Sequence, residues 1–207
     1  MKVFVIHYKR LTERVPHMLE QFKRYNITDY EFIEIDRDEL NENNKIIFSK
    51  LFDHAQIAIC LSHFYAYRQI SEKHEHALIL EDDAILSDDF IQRLNKYIDE
   101  LPNDYDALFL GDGCNMHIPS HLQIPEKHIY KIQNSRCTDS YLVSKNGATK
   151  LWNYICTLKY KINKPVDHWI NQAFKDTDSN VYWAEPTIVT QGTQSGLFTT
   201  SHKNMVI

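Results

Sequence analysis

The segment Ala77-Leu78-Ile79-Leu80-Glu81-Asp82-Asp83-Ala84-Ile85-Leu86 constrains this chain more than any other. A short apolar run of strand length stops at three adjacent carboxylates, and apolar residues resume at once. Like charges repel, and carboxylates resist desolvation without a partner. A divalent cation is one such partner: hard oxygen ligands suit Mg²⁺ or Mn²⁺, and these ions bridge to phosphate oxygens. Open α/β sheets bind ligands beyond the carboxyl ends of their strands. The segment therefore reads as a metal–diphosphate site at a strand end. The competing reading is a solvated acidic turn before a helix, with Ser87-Asp88-Asp89 as its cap.

Around this segment, strand and helix signals alternate through the first 110 residues. Val3-Phe4-Val5-Ile6 is a β-rich run. A helix with Thr12 as its cap is expected to reach about Tyr25, and Pro16 favours a start a few residues later. Phe32-Ile33-Glu34-Ile35-Asp36 reads as a second strand ending on a carboxylate, and residues 37–50 as a polar, Asn-rich loop. Apolar residues on nearly every side from His54 to about Lys73 predict a buried helix of about five turns. Residues 88–101 predict an amphipathic helix, and Ala107-Leu108-Phe109-Leu110 a strand closed by Gly111-Asp112-Gly113.

Further strands are expected at 129–132, 140–143 and 181–184, with helices over 148–157, capped by Ser144, and from 166 to 174. Residues 191–196 read as a loop or tail. The pattern predicts an α/β fold with a mostly parallel sheet flanked by helices on both faces. Neither repeat nor linker breaks it, so residues 1–207 are expected to form one domain.

Composition excludes several classes. Hydrophobic content of 43% and charged content of 25% suit a soluble globular protein. A net charge of −5 without a basic stripe argues against a nucleic-acid partner. The apolar start is too short for a signal peptide and no segment reaches membrane-spanning length, which predicts a cytoplasmic protein without a transmembrane segment. Cys60, Cys114, Cys137 and Cys156 include no Cys-x-x-Cys pair. That argues against zinc or a disulfide framework and predicts reduced, mostly buried thiols.

Five pieces of the chain, in order, resemble glycosyltransferase family 25. They are Phe4-Val5-Ile6-His7-Tyr8 with Arg14; Cys60-Leu61-Ser62-His63; the run from Ala77 to Ala84; Ser140-Tyr141-Leu142-Val143-Ser144 with Gly147-Ala148 and Lys150-Leu151; and Pro165-Val166-Asp167. The resemblance runs from about residue 3 to about 196. The family includes bacterial lipooligosaccharide sugar transferases and collagen galactosyltransferases. It implies a GT-A fold with a Rossmann-like nucleotide-binding half, about residues 1–110, and an acceptor-binding half with a tail, about 111–207.

The resemblance also implies inverting transfer of galactose or glucose from a UDP-sugar, assisted by Mn²⁺ (or Mg²⁺). The acceptor would be a glycan, a lipooligosaccharide or other lipid-linked sugar, or a collagen-like hydroxylysine. In such enzymes an Asp-x-Asp-like triplet holds the metal, and Glu81-Asp82-Asp83 stands in that place. Asp83 is then a metal ligand, Glu81 a ligand or a partner of the ribose or donor sugar, and Asp82 a donor-site residue. By analogy with other GT-A enzymes, the tail His202 completes the metal shell.

Chemistry supplies further candidates. Negative charge develops on the departing diphosphate, which a cation neutralises, and inversion needs a base for the acceptor hydroxyl. Asp167, near a helix start, is the first candidate base and Asp112 the second; the plainer alternatives are a helix cap and a turn residue. His7 and Tyr8 follow the first strand, where a nucleotide base would lie. Asp36 is placed to meet the base or ribose, or to be a solvated strand-end acid. Arg14 meets a phosphate or lies on a helix surface. His63, in a helix of core residues, reads as a buried structural histidine.

Three rival functions remain. A catalytically inactive UDP- and metal-binding module would use the same fold. A metal-dependent phosphohydrolase would need clustered His and Asp residues, which the sequence does not offer. An interaction module would leave the acidic strand end unexplained.

Overall fold

The computed structural model describes residues 1–199. Lys2–Ile6 (β1) leads through the helix Arg14–Arg24 (α1) to Tyr30–Ile33 (β2). A one-turn helix Glu42–Lys45 (α2) and the long helix His54–Lys73 (α3) then lead to His76–Glu81 (β3). Ala84–Leu86 (β4), Phe90–Glu100 (α4), Ala107–Phe109 (β5), Ile129–Lys131 (β6) and Ser140–Ser144 (β7) follow. Lys145–Cys156 (α5), Val166–Asp176 (α6), Val181–Ala184 (β8), Val189–Gln191 (β9) and Gly192–Ser195 (α7) complete the described chain.

Seven strands form one sheet in the order β2-β1-β3-β7-β5-β8-β6, and β4 pairs with β9 in a separate ribbon. β2, β1, β3, β5 and β8 run one way; β7 and β6 run against them. The central strands are apolar on both faces because successive side chains point to opposite sides, and both sides are covered. Ile79, Phe109 and Tyr141 pack with Phe64 and Tyr67 of α3, Leu151 of α5 and Trp169 of α6. On the other face Leu78, Leu80, Leu108 and Leu142 meet Met18 and Phe22 of α1 and Phe90, Leu94 and Tyr97 of α4.

Local chemistry explains several boundaries. Asp53 caps α3 by accepting from the amides of Ala55 and Gln56, and Ser144 caps α5 through Gly147. Helix α5 therefore starts at Lys145, three residues ahead of the expected 148. β2 ends at Ile33 and not at 36, because the chain turns at Asp36, whose Oδ1 accepts from the Asp38 amide at 2.9 Å. The 37–50 loop contains α2, closed by reciprocal bonds between Asn41 and Asn44.

Further expectations fail. Thr12 does not cap α1, which starts at Arg14 behind Glu13 with no side-chain cap. Residues 191–196 are not a free tail: Gln191 ends β9, which pairs antiparallel with β4, and α7 follows. Each of these elements is only three or four residues long, too short for periodicity to reveal. The thiols are not mostly buried either. Cys60 is buried, whereas Cys114 and Cys156 are exposed and Cys137 is intermediate, because Cys114 lies on a surface turn and Cys156 ends α5. Among the described residues no helix is long and apolar enough to cross a membrane.

Candidate active site

β1 and β3 are parallel neighbours with Ile6 opposite Glu81, so His7-Tyr8 and Asp82-Asp83 leave the sheet side by side. Asp82 is pinned there. Its amide donates to the Ile6 carbonyl at 3.1 Å, and its Oδ1 accepts from Arg14 Nη1 at 2.5 Å. Its Oδ2 lies 2.7 Å from His7 Nδ1 and 3.3 Å from the Tyr8 amide. Asp82, Arg14 and His7 are all buried, so a guanidinium from α1 offsets the buried Asp82 carboxylate. Arg14 Nη2 also donates to the Thr199 carbonyl at 3.0 Å.

Asp83 turns the other way. Its Oδ2 accepts from Thr193 Oγ1 at 2.6 Å and from the Thr193 amide at 3.1 Å, and its carbonyl accepts from the Gly192 amide at 2.7 Å. Glycine at 192 allows the close approach, since a Cβ there would stand 2.6 Å from the Phe198 ring and 3.0 Å from the Asp83 carbonyl oxygen. Asp83 Oδ1 is buried and has no partner among the described residues. A buried carboxylate oxygen left unpaired is costly.

Glu81 donates its amide to the Asp139 carbonyl at 2.8 Å. Burial, followed by the nearby charges of Asp83, Asp139, Asp82 and Asp167, pushes its carboxyl well above the usual range. Asp139 is fully buried, accepts from Ser140 Oγ at 2.9 Å and keeps its Oδ1 unpartnered among the described residues. Burial, with Asp112 and Asp83 nearby, pushes Asp139 up to about 7 despite the bond from Ser140. Gly111 makes room for it: a Cβ there would lie 1.8 Å from Asp139 Oδ2. Asp112 Oδ1 is buried and unpartnered as well.

This donor set is all oxygen, and among the described residues like charges crowd it without a salt bridge to Asp83 or Asp139. That fits a hard divalent cation. Among the described residues no three acidic, His or Cys groups stand ready around one point. Mg²⁺-type ions are often held by one or two carboxylates plus substrate phosphates, a donor set that Asp83 and Glu81 could supply.

His7, Tyr8, Arg14, Glu81, Asp82 and Asp83 all line one cleft, which Thr193 and Arg37 share. Apolar Ile35, Ala55, Ala58 and Ile59 line the same cleft, and the Arg37 guanidinium lies 3.8 Å from the Tyr8 ring centre. The remaining sequence candidates lie apart from it. Asp36 is buried and held by Lys9 Nζ at 2.8 Å; that bond, then the Asp38 amide, lowers its pKa, and it does not line the cleft. Asp167 sits in the first turn of α6 with Oδ1 accepting from the His168 amide at 2.9 Å. Asp112 and Asp167 belong to the acidic cluster by electrostatic reach rather than to the cleft wall. His202 lies outside the described residues.

Sequence reasoning missed Asp139, Thr193 and Arg37. β7 is antiparallel to β3, with Ser140 opposite Leu80, so the start of β7 lies at the same sheet edge as the end of β3. An acid just before a strand is therefore as relevant as one just after, once direction is known. His63 is the buried histidine expected: its Nδ1 lies 2.7 Å from Tyr141 Oη, and burial pushes its pKa down to about 3, so it is neutral.

Comparison with known proteins decides the family. A model of glycosyltransferase family 25 (LPS biosynthesis protein) matches residues 1–170. The chain belongs to glycosyltransferase family 25. A candidate glycosyltransferase of Acanthamoeba polyphaga mimivirus is 30% identical over 126 residues, a match covering 56% of this chain and 38% of that protein. The chain thus spans well under half the length of this curated relative.

Among solved structures, a glycosyltransferase involved in glycosylating the major capsid of PBCV-1 superposes with a TM-score of 0.51 at 11% identity, covering 92% of this chain and 91% of that one. S. aureus TarS, residues 1–349, gives 0.54 at 10% identity, over 92% of this chain and 59% of that one. At such identities the likeness is one of fold, and the fold is GT-A.

Proposed function

We propose that this glycosyltransferase moves a hexose, galactose or glucose, from a UDP-sugar to an acceptor hydroxyl with inversion, using Mn²⁺ or Mg²⁺. The observation that carries the reading is the buried Asp83 Oδ1, unpartnered among the described residues, beside Glu81 in a cleft that is also lined by apolar Ile35, Ala55, Ala58 and Ile59. A diphosphate belongs at the first place and a planar base at the second. The cation, when bound by Asp83 and Glu81, neutralises charge on the leaving diphosphate. By analogy, His202 adds a further ligand.

The chain's own residues do the rest. Tyr8 and Arg37 flank the base, with Ile35, Ala55 and Ala58 beneath it. Asp82, Arg14 and His7 lock the β1 and β3 ends together so that Asp83 keeps its aim. Asp36 holds the turn beside Tyr8. Asp167 takes the acceptor proton, with Asp112 as second candidate, and the segment after residue 110 binds the acceptor: a glycan, a lipid-linked sugar or a collagen-like hydroxylysine.

A panel of UDP-sugars with Mn²⁺, reading UDP release with and without each acceptor class, tests the proposal. Acceptor-dependent release with UDP-galactose or UDP-glucose is expected, silenced by EDTA. Tight Mn²⁺-dependent UDP binding without turnover would make the chain a UDP-binding module instead.

A further inference from the structure

Cys114 and Cys137 are 23 positions apart in sequence, yet the Cys137 thiol points at Cys114 with the sulfurs 3.7 Å apart. Both residues hold left-handed backbone, φ 54° and 58°, an uncommon state for a side-chain-bearing residue. Gly113 permits the approach: a Cβ there would stand 2.7 Å from Cys137 Cβ and 2.8 Å from its sulfur.

A neighbouring contact keeps the two segments in register. Fully buried Arg136, next to Cys137, donates through Nε to the Met116 carbonyl at 2.6 Å, two residues beyond Cys114. Its other nitrogens donate to the Ala184 carbonyl at 2.7 Å and to Glu185 Oε2 at 2.6 Å. The thiols therefore face each other across a fastened joint, not across two loose loops. Closing from 3.7 Å to the disulfide length of about 2.05 Å asks for a shift of about 1.7 Å.

We propose that Cys114 and Cys137 are a reversible disulfide site, oxidised by exchange with a low-molecular-weight disulfide such as oxidised glutathione. Cys114 is exposed and attacks first: its thiolate bonds to one sulfur of the reagent and expels the other half as a thiol. The Cys137 sulfur then displaces the attached half from Cys114, forming the S–S bond. Two protein thiols lose two electrons and two protons, and one small disulfide becomes two small thiols. Burial, and then the neighbouring Cys114, Asp139 and Asp167, push the Cys137 thiol up, which suits it to the second step rather than the first.

The bond forms whether or not the chain transfers a sugar, so the experiment reads thiols and not turnover. The full chain is incubated with oxidised glutathione, alkylated, digested without reductant and mapped by mass spectrometry. Two of its four thiols should disappear with the loss of two hydrogens, and one linked peptide pair should carry Cys114 and Cys137, reversed by dithiothreitol. Cys60 and Cys156 should remain alkylated. Cys114→Ser should yield no internal crosslink. Four surviving thiols, glutathione adducts that never resolve, a bond to Cys60 or Cys156, or a link between chains would each overturn the proposal.

Discussion

Thr193 donates from its hydroxyl at 2.6 Å and from its amide at 3.1 Å to the same oxygen of Asp83, 110 positions away in sequence. One carboxylate oxygen is thereby consumed, and the other is held buried and, among the described residues, unpaired. The β4–β9 ribbon places Thr193 there, because Ala84 pairs with Gln191 and so Asp83 and Gly192 continue opposite each other.

Asp83→Asn keeps an acceptor for Thr193 but removes the charge. Folding should survive, and Mn²⁺-dependent UDP release should fall by more than about 100-fold, beyond what loss of an outlying ligand partner usually costs. A Mn²⁺ titration of UDP release checks it. Turnover close to that of the parent would reduce the triplet to an acidic turn.

Thr193→Val removes the hydroxyl donor and keeps the amide bond. Apparent Mn²⁺ affinity should weaken by about 10- to 100-fold, the range for partners that orient metal ligands, while Thr193→Ser restores it. Unchanged Mn²⁺ dependence in the valine variant would show that the amide and the Gly192 contact alone aim Asp83.

Asp167→Asn should lower turnover by about 10²- to 10⁴-fold while UDP affinity stays near the parent value, since a base contributes to the transition state and not to donor binding. Turnover and UDP isothermal titration on the same preparation separate the two effects. A matching loss of affinity would make Asp167 a donor-site residue. An unchanged rate would move the base role to Asp112.

Much of this was legible in the sequence, for physical reasons. β3 and α3 are long, apolar and well capped, and the carboxylate run fixes where β3 stops. His7 and Tyr8 were readable because β1 is a clean apolar strand with its site residues directly after it. Arg14 was named without its partner: no local pattern reveals that Asp82, 68 positions away, takes its guanidinium. Asp139 was hidden because strand direction, which alone brings the start of β7 to the end of β3, is a property of topology and not of periodicity. Thr193 was hidden by the shortness of β9 and α7.

The last prediction concerns pH, with divalent cations removed by EDTA. An aspartate ordinarily titrates near 3.8, but Asp139 is pushed up to about 7 in the folded chain. Between about pH 4 and 7 the folded state therefore holds the extra proton, and Asp139 makes stability fall as pH rises. His63 works in reverse. It is pushed down to about 3 against an ordinary 6.5, so the unfolded state holds the extra proton and stability rises with pH across that interval. The two slopes oppose each other from about pH 4 to 6.5, and deleting one exposes the other. Asp139→Asn should gain stability relative to the parent as pH rises, by a change on the order of 4 kcal/mol between pH 4 and 8. His63→Gln should gain relative to the parent as pH falls from 6.5. Urea unfolding of all three proteins at pH 4.5, 6 and 8 reads both differences directly. A pH-independent difference for Asp139→Asn would mean that Asp139 ionises in the ordinary range, and would remove the electrostatic argument that the acidic cluster needs a cation.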